Sequence, residues 1–132
     1  MLKRTISQSS LGTIILVDSI TKIEPDDEGA IVLSASHGGV SSGEFALQVP
    51  LRLVLFNDAG IGKDRAGIAA LDMLQNKGVA AAMISHLSGR IGDAQDMWDH
   101  GEISAVNALA AAMGVAIGEK ASARLLSLIG NK

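Results

Sequence analysis

The chain reads as a small three-layer α/β domain with a mostly parallel sheet, and three observations predict this. Short runs that are apolar throughout, rather than alternating, recur along the chain. From residue 30 onward each run is followed by a polar loop containing glycine. A stretch with helical spacing or a helix start signal then follows each loop. Strands that are apolar on both faces and separated by helices indicate a parallel sheet covered on both sides. The 132 residues suit one domain, 1–132, and no linker or low-complexity segment divides them. Surface scaling gives roughly 6,600 Å² folded against roughly 20,000 Å² unfolded, so a core forms without staples. That suits a chain with no cysteine.

Residues 1–11 carry the early cations Lys3 and Arg4 and no apolar run, and are expected to form a flexible or interface segment. Residues 13–17 are apolar and rich in β-branched side chains, and residues 20–23 alternate apolar and polar, both strand signals. Pro25 and Gly29 bound a turn, after which residues 30–34 resume the strand pattern. The short spacing predicts an N-terminal antiparallel hairpin among these runs.

Three strand–loop–helix repeats follow. Residues 30–36 lead into the loop 37–43, where Ser41 and Glu44 have the spacing of a capping box and Pro50 stops the helix. Residues 51–56 lead into the loop 57–64, with Asp64 as a possible N-cap. Ile68, Leu71 and Leu74 then mark a helix ending at Gly78. Residues 79–84 lead into the loop 85–93, with Asp93 as N-cap of a helix over 94–100 and Asp96 in its first turn. An alanine-rich helix is expected over 103–113, a short strand over 115–117 and a terminal helix over 119–129.

Parallel strands send their following loops to one sheet edge, where ligands of open α/β sheets bind. The polar residues lie at those strand ends. Ser34, Ser36 and His37 close the first; Asn57, Asp58, Lys63 and Asp64 follow the second; Ser85, His86, Ser88, Arg90 and Asp93 follow the third. Eight of the 15 glycines share these segments: Gly38, Gly39, Gly43, Gly60, Gly62, Gly67, Gly89 and Gly92. Turns use glycine for their own geometry, but glycine also lets backbone amides approach a ligand. Polar chemistry and glycine coincide three times, which points to one crevice.

His37, beside two glycines, is the first candidate for a general base, since histidine titrates near neutrality. Asp58 directly follows an apolar strand, where burial can raise a carboxyl pKa, and is its expected acid–base companion. Ser36, Gly38, Gly39, Asn57, Gly60, Gly62, Lys63, His86, Ser88 and Arg90 are the expected substrate-binding residues. Among them Asn57 offers an amide to an oxyanion. Lys63 and Arg90 offer charge to an anion, Arg90 in bidentate fashion. Ion pairs with Asp93 or Asp96 are the competing role for Arg90.

Other chemistries are disfavoured. Residues 60–64 resemble a phosphate-binding loop only partly, because Asn57 stands in place of its first glycine and Asp64 in place of its hydroxyl. No serine sits in a nucleophile elbow; the residues around Ser88 are His86, Leu87, Gly89 and Arg90. No histidine pair has metal-ligand spacing, so no cofactor is expected, and a divalent metal held by His37, His86, Asp58 and Asp93 is a lesser alternative. The net charge of −3 and the three aromatic residues argue against nucleic acid as a partner. No apolar run is long enough for a membrane span, and the expected location is cytoplasmic.

The expected function is a small-molecule enzyme of hydrolase, lyase or isomerase type, acting on a compact anionic metabolite. The alternatives are a non-catalytic metabolite-binding or regulatory subunit with the same pocket, or an oligomeric interaction module. A homo-oligomer is expected through the alanine-rich residues 103–113.

Overall fold

A computed structural model of the chain describes residues 1–130. Six strands, β1 (Lys3–Ser9), β2 (Gly12–Val17), β3 (Ile31–His37), β4 (Leu53–Asn57), β5 (Ala80–Ile84) and β6 (Ile103–Val106), form one sheet in chain order. β2, β3, β4 and β5 run parallel, and an antiparallel strand flanks them on each side. The helices are α1 (Val40–Ala46), α2 (Ala70–Asn76), α3 (Ala94–His100), α4 (Ala108–Ala112) and α5 (Ala121–Leu128).

The four parallel strands are largely buried on both sides because most residues in them are apolar. Strands laid down in chain order, with right-handed crossovers, place each crossover on the same face. α1 and α2 therefore share one face, packing Ala46, Ala70, Leu71 and Leu74 against Val32, Val54, Phe56 and Met83. The opposite face has to be covered by the rest of the chain. α3, α4 and α5 do so, with Met97, Ala110, Ala121 and Leu125 against Ile14, Leu33, Leu55 and Ile84.

The N-terminal hairpin forms from different residues than those expected. Residues 1–11 are not a loose segment: β1 pairs with β2, and the backbone N–H of Leu2 donates to Asp18 Oδ2 at 2.8 Å. β2 and β3 are parallel, and residues 20–23 form no strand. The connection 18–30 is about a dozen residues, the minimum for a parallel crossover. It crosses with two 3-10 turns, Ile20–Lys22 and Pro25–Asp27, rather than with a helix.

Four caps or elements also differ. Gly39, not a Ser41–Glu44 box, caps α1. Asp64 caps nothing; with Arg65 it adopts positive φ inside the 3-10 segment Lys63–Ile68, and α2 starts only at Ala70. Residues 103–113 split into β6 and α4, because Asn107 caps α4 by accepting from the Ala110 amide. Residues 115–117 belong to no strand. Asp93 caps α3 as its position predicts, accepting from the Asp96 amide at 3.0 Å.

Candidate acid–base site

The place of the site follows from where the chain goes after each strand. The connections after β3 and β4 lead to α1 and α2 on one face, whereas the connection after β5 leads to α3 on the other. Neighbouring strands whose followers part to opposite faces leave a crevice between their carboxyl ends. Here that crevice opens between β4 and β5. Asp58 is the residue after β4, and His86 lies two residues beyond β5.

Asp58 is buried, and its two oxygens are crowded with donors. Oδ1 accepts from the Gly60 amide at 2.9 Å, the His86 amide at 3.1 Å and the His86 ring Nδ1 at 3.1 Å. Oδ2 accepts from Ser104 Oγ at 2.7 Å. Ser104 reaches it because β6 carries a bulge: Met83 faces Ala105 and Ile84 faces Ile103, leaving Ser104 as the extra residue. Burial alone would raise the Asp58 pKa. The hydrogen bonds from Ser104, the two amides and the imidazole outweigh burial and hold the carboxyl below its usual range. The expected raised pKa is therefore corrected, and Asp58 is an ionised acceptor rather than a proton donor.

An ionised carboxylate can only accept, so His86 Nδ1 must donate to it. Neutral His86 then carries its proton on Nδ1, and Nε2 presents a lone pair. The His86 side chain is 45% exposed, against 6% for Asp58, so an anchored ring faces the solvent. A carboxylate that fixes the tautomer and aims the imidazole is the arrangement of a histidine general base.

His37, the first candidate base, is not among the hydrogen-bond partners of the Asp58 carboxylate, and it lies away from His86. It pairs in register with Asn57, and Asn57 with Ile84, so β4 lies between it and β5, a separation of about 10 Å. Its Nδ1 accepts from the Gly39 amide at 3.0 Å. Neutral His37 therefore keeps its proton on Nε2, the opposite tautomer to His86.

Several expected binding residues serve the fold instead. Asn57 is fully buried, with Nδ2 donating to the Gly89 carbonyl and Oδ1 accepting from the Ala59 amide, both at 2.9 Å; no ligand oxyanion reaches it. Ser36 Oγ accepts from the Ile20 amide, and Ser88 Oγ donates to the Ser85 carbonyl and accepts from the Glu102 amide. Gly38 donates its amide to the Asn57 carbonyl and lies under Met83, where a Cβ would collide. Gly39 borders His37, since a Cβ there would lie 2.8 Å from Nδ1. Gly60 and Gly62 turn the loop after Asp58 at φ of 76° and 73°, and a Cβ on Gly60 would touch the His86 ring at 3.5 Å.

Two depressions lie near the Asp58–His86 contact. One, of about 380 Å³, is lined by His86, Leu87, Ser88, Gly89, Arg90, Ile91 and Asp96. The other, of about 610 Å³, is lined mainly by Val40, Ala59, Ile61, Ala66, Ala69 and Ile91, with His37 and Ser41 supplying its polar side chains. Ile91 belongs to both. Lys63 is exposed and lines neither, whereas Arg90 lines the smaller one. A further depression of about 420 Å³ lies at the amino-terminal edge of the sheet beside Asp26, Asp27 and Glu28, where Asp27 is paired with Lys3 at 2.9 Å.

No group of three or more His, Cys, Asp or Glu that could hold a metal occurs among the described residues. Among them, too, no helix is long and apolar enough to cross a membrane. Ser104 is the site residue that the sequence does not reveal, because residues 103–113 read as one alanine-rich helix and no spacing rule marks a bulge. Compared with known proteins, the chain matches no family model, and no curated protein or solved structure matches it significantly.

Proposed function

We propose that this protein is an acid–base enzyme of hydrolase, lyase or isomerase type, with His86 as the proton-exchanging group. Asp58 is a positioning residue that fixes the ring, and Ser104 in turn holds Asp58. The observation that carries the reading is the 3.1 Å contact between His86 Nδ1 and a buried, ionised carboxylate, at the gap where the β4 and β5 connections part. His37 takes a binding role in this reading, and the base role passes to His86.

The substrate is a small anionic metabolite. Arg90 lines the same depression as His86 and provides the positive charge, and the sizes of both depressions fall in the range of small-molecule sites. The acid–base groups belong to one chain, so the reading needs no partner subunit. Splitting residues 103–113 into β6 and α4 removes the continuous alanine-rich helix through which assembly was expected.

The test is a turnover screen over small carboxylates and phosphate esters, repeated with His86→Gln. Turnover should fall at least about a hundredfold in the variant while the fold is retained. Undiminished turnover in His86→Gln would remove the assignment, and saturable binding without any turnover would favour the regulatory-subunit alternative.

A further inference from the structure

Asp58 and His86 leave the larger depression without a role. Three large apolar side chains converge on it although each is substantially exposed: Val40 at 51%, Ile61 at 37% and Ile91 at 48%. A single exposed apolar residue needs no explanation, but several around one concavity beside polar groups mark a ligand site. The hollow also adjoins the acid–base pair, because Ile91 is common to both depressions and the loop carrying Ala59 and Ile61 runs over His86 at Gly60.

His37 supplies the matching polar contact. Its Nδ1 is occupied by the Gly39 amide, so the neutral ring offers Nε2–H as a hydrogen-bond donor at the edge of an otherwise largely apolar hollow. An apolar wall with one N–H donor among its lining residues suits a molecule with an aliphatic group next to a carbonyl or carboxylate oxygen. We propose that this hollow is the subsite for the aliphatic part of the substrate, and that His37 donates to the adjacent carbonyl oxygen. The substrate class is then a short aliphatic acid. Placing its reactive end at His86 rests on the acid–base reading above; binding in the hollow does not.

The test is an NMR titration of the ¹⁵N-labelled chain with 3-methylbutanoate, 3-methylbutanamide and acetate. The two branched probes should shift the Gly39, Ile61 and Ile91 amides, with affinity rising about fourfold per added methylene, equivalent to about 0.8 kcal/mol. Ile61→Asp should abolish the shifts, and His37→Phe, which keeps a ring but loses the donor, should weaken binding by about tenfold. Both positions are exposed, so both variants should fold. Affinity independent of chain length, or unchanged in His37→Phe, would overturn the proposal. His86→Gln disables the proposed acid–base pair but keeps the Asp58–Gly60 hydrogen bond that shapes the loop, and should leave these titrations unaltered, so failure of the hollow and failure of the pair are read by different measurements.

Discussion

At Asp58, three donors meet one carboxylate oxygen and a serine hydroxyl meets the other. Such a carboxylate orients a neighbour better than it exchanges protons, because its charged form is the one being stabilised. Since the folded pKa lies below the unfolded value of 3.8, its contribution to stability is complete above 3.8 and is lost as pH falls through the folded value. Urea unfolding between about pH 2 and about pH 6 should therefore show a steeper acid decline in the native chain than in Asp58→Asn. Ser104→Ala should move the Asp58 carboxyl pKa upward in a ¹³C titration and lower stability by about 1 kcal/mol. Gly39 allows a second residue-scale test. Its φ of −82° suits alanine, so Gly39→Ala should fold, yet the new methyl meets His37 Nδ1 at 2.8 Å and should displace the ring. Loss of the Gly39 amide–His37 hydrogen bond in NMR spectra would register that displacement.

Among the elements, the parallel strands were legible because their apolar runs are buried on both faces, and α3 was legible because Asp93 is a good cap. β1 was not: it is an edge strand of mostly polar residues held by pairing with β2, so hydrophobic periodicity carries no sign of it. β6 was hidden by the alanines that follow it, and only Asn107 marks the boundary. Asn107 accepts from the Ala81 and Ala110 amides and donates to the Leu71 and Val79 carbonyls, tying β5, α2 and α4 together. Removing a buried amide that satisfies four partners leaves them unpaired, so Asn107→Ala should lose about 2–3 kcal/mol in denaturant unfolding. The loop after Asp58 points the other way. Ile61 holds φ of 66°, which is costly for a β-branched side chain. Ile61→Gly should therefore unfold at no lower denaturant concentration than the native chain, although it removes a wall of the hollow.

For the molecule as a whole, the sequence placed the polar loops at one sheet edge but did not show which two would meet. That depends on the faces taken by the following helices, and no local pattern encodes the passage from the α1–α2 face to the α3–α5 face. The crossing after β5 opens the gap between β4 and β5, which pairs Asp58 with His86 and leaves His37 one strand away. The glycines also divide by cause at this scale: Gly60 and Gly62 supply positive φ, whereas Gly38 and Gly39 permit close packing around the edge. The central claim is that Asp58 holds His86 with Nε2 bare toward the crevice, and long-range ¹H–¹⁵N spectra of the imidazole rings test it most directly. At a pH where both rings are neutral, the account predicts that His86 carries its proton on Nδ1 while His37 carries its own on Nε2, and that Asp58→Asn removes the preference at His86 alone. A proton on Nε2 of His86 in the native chain would contradict it.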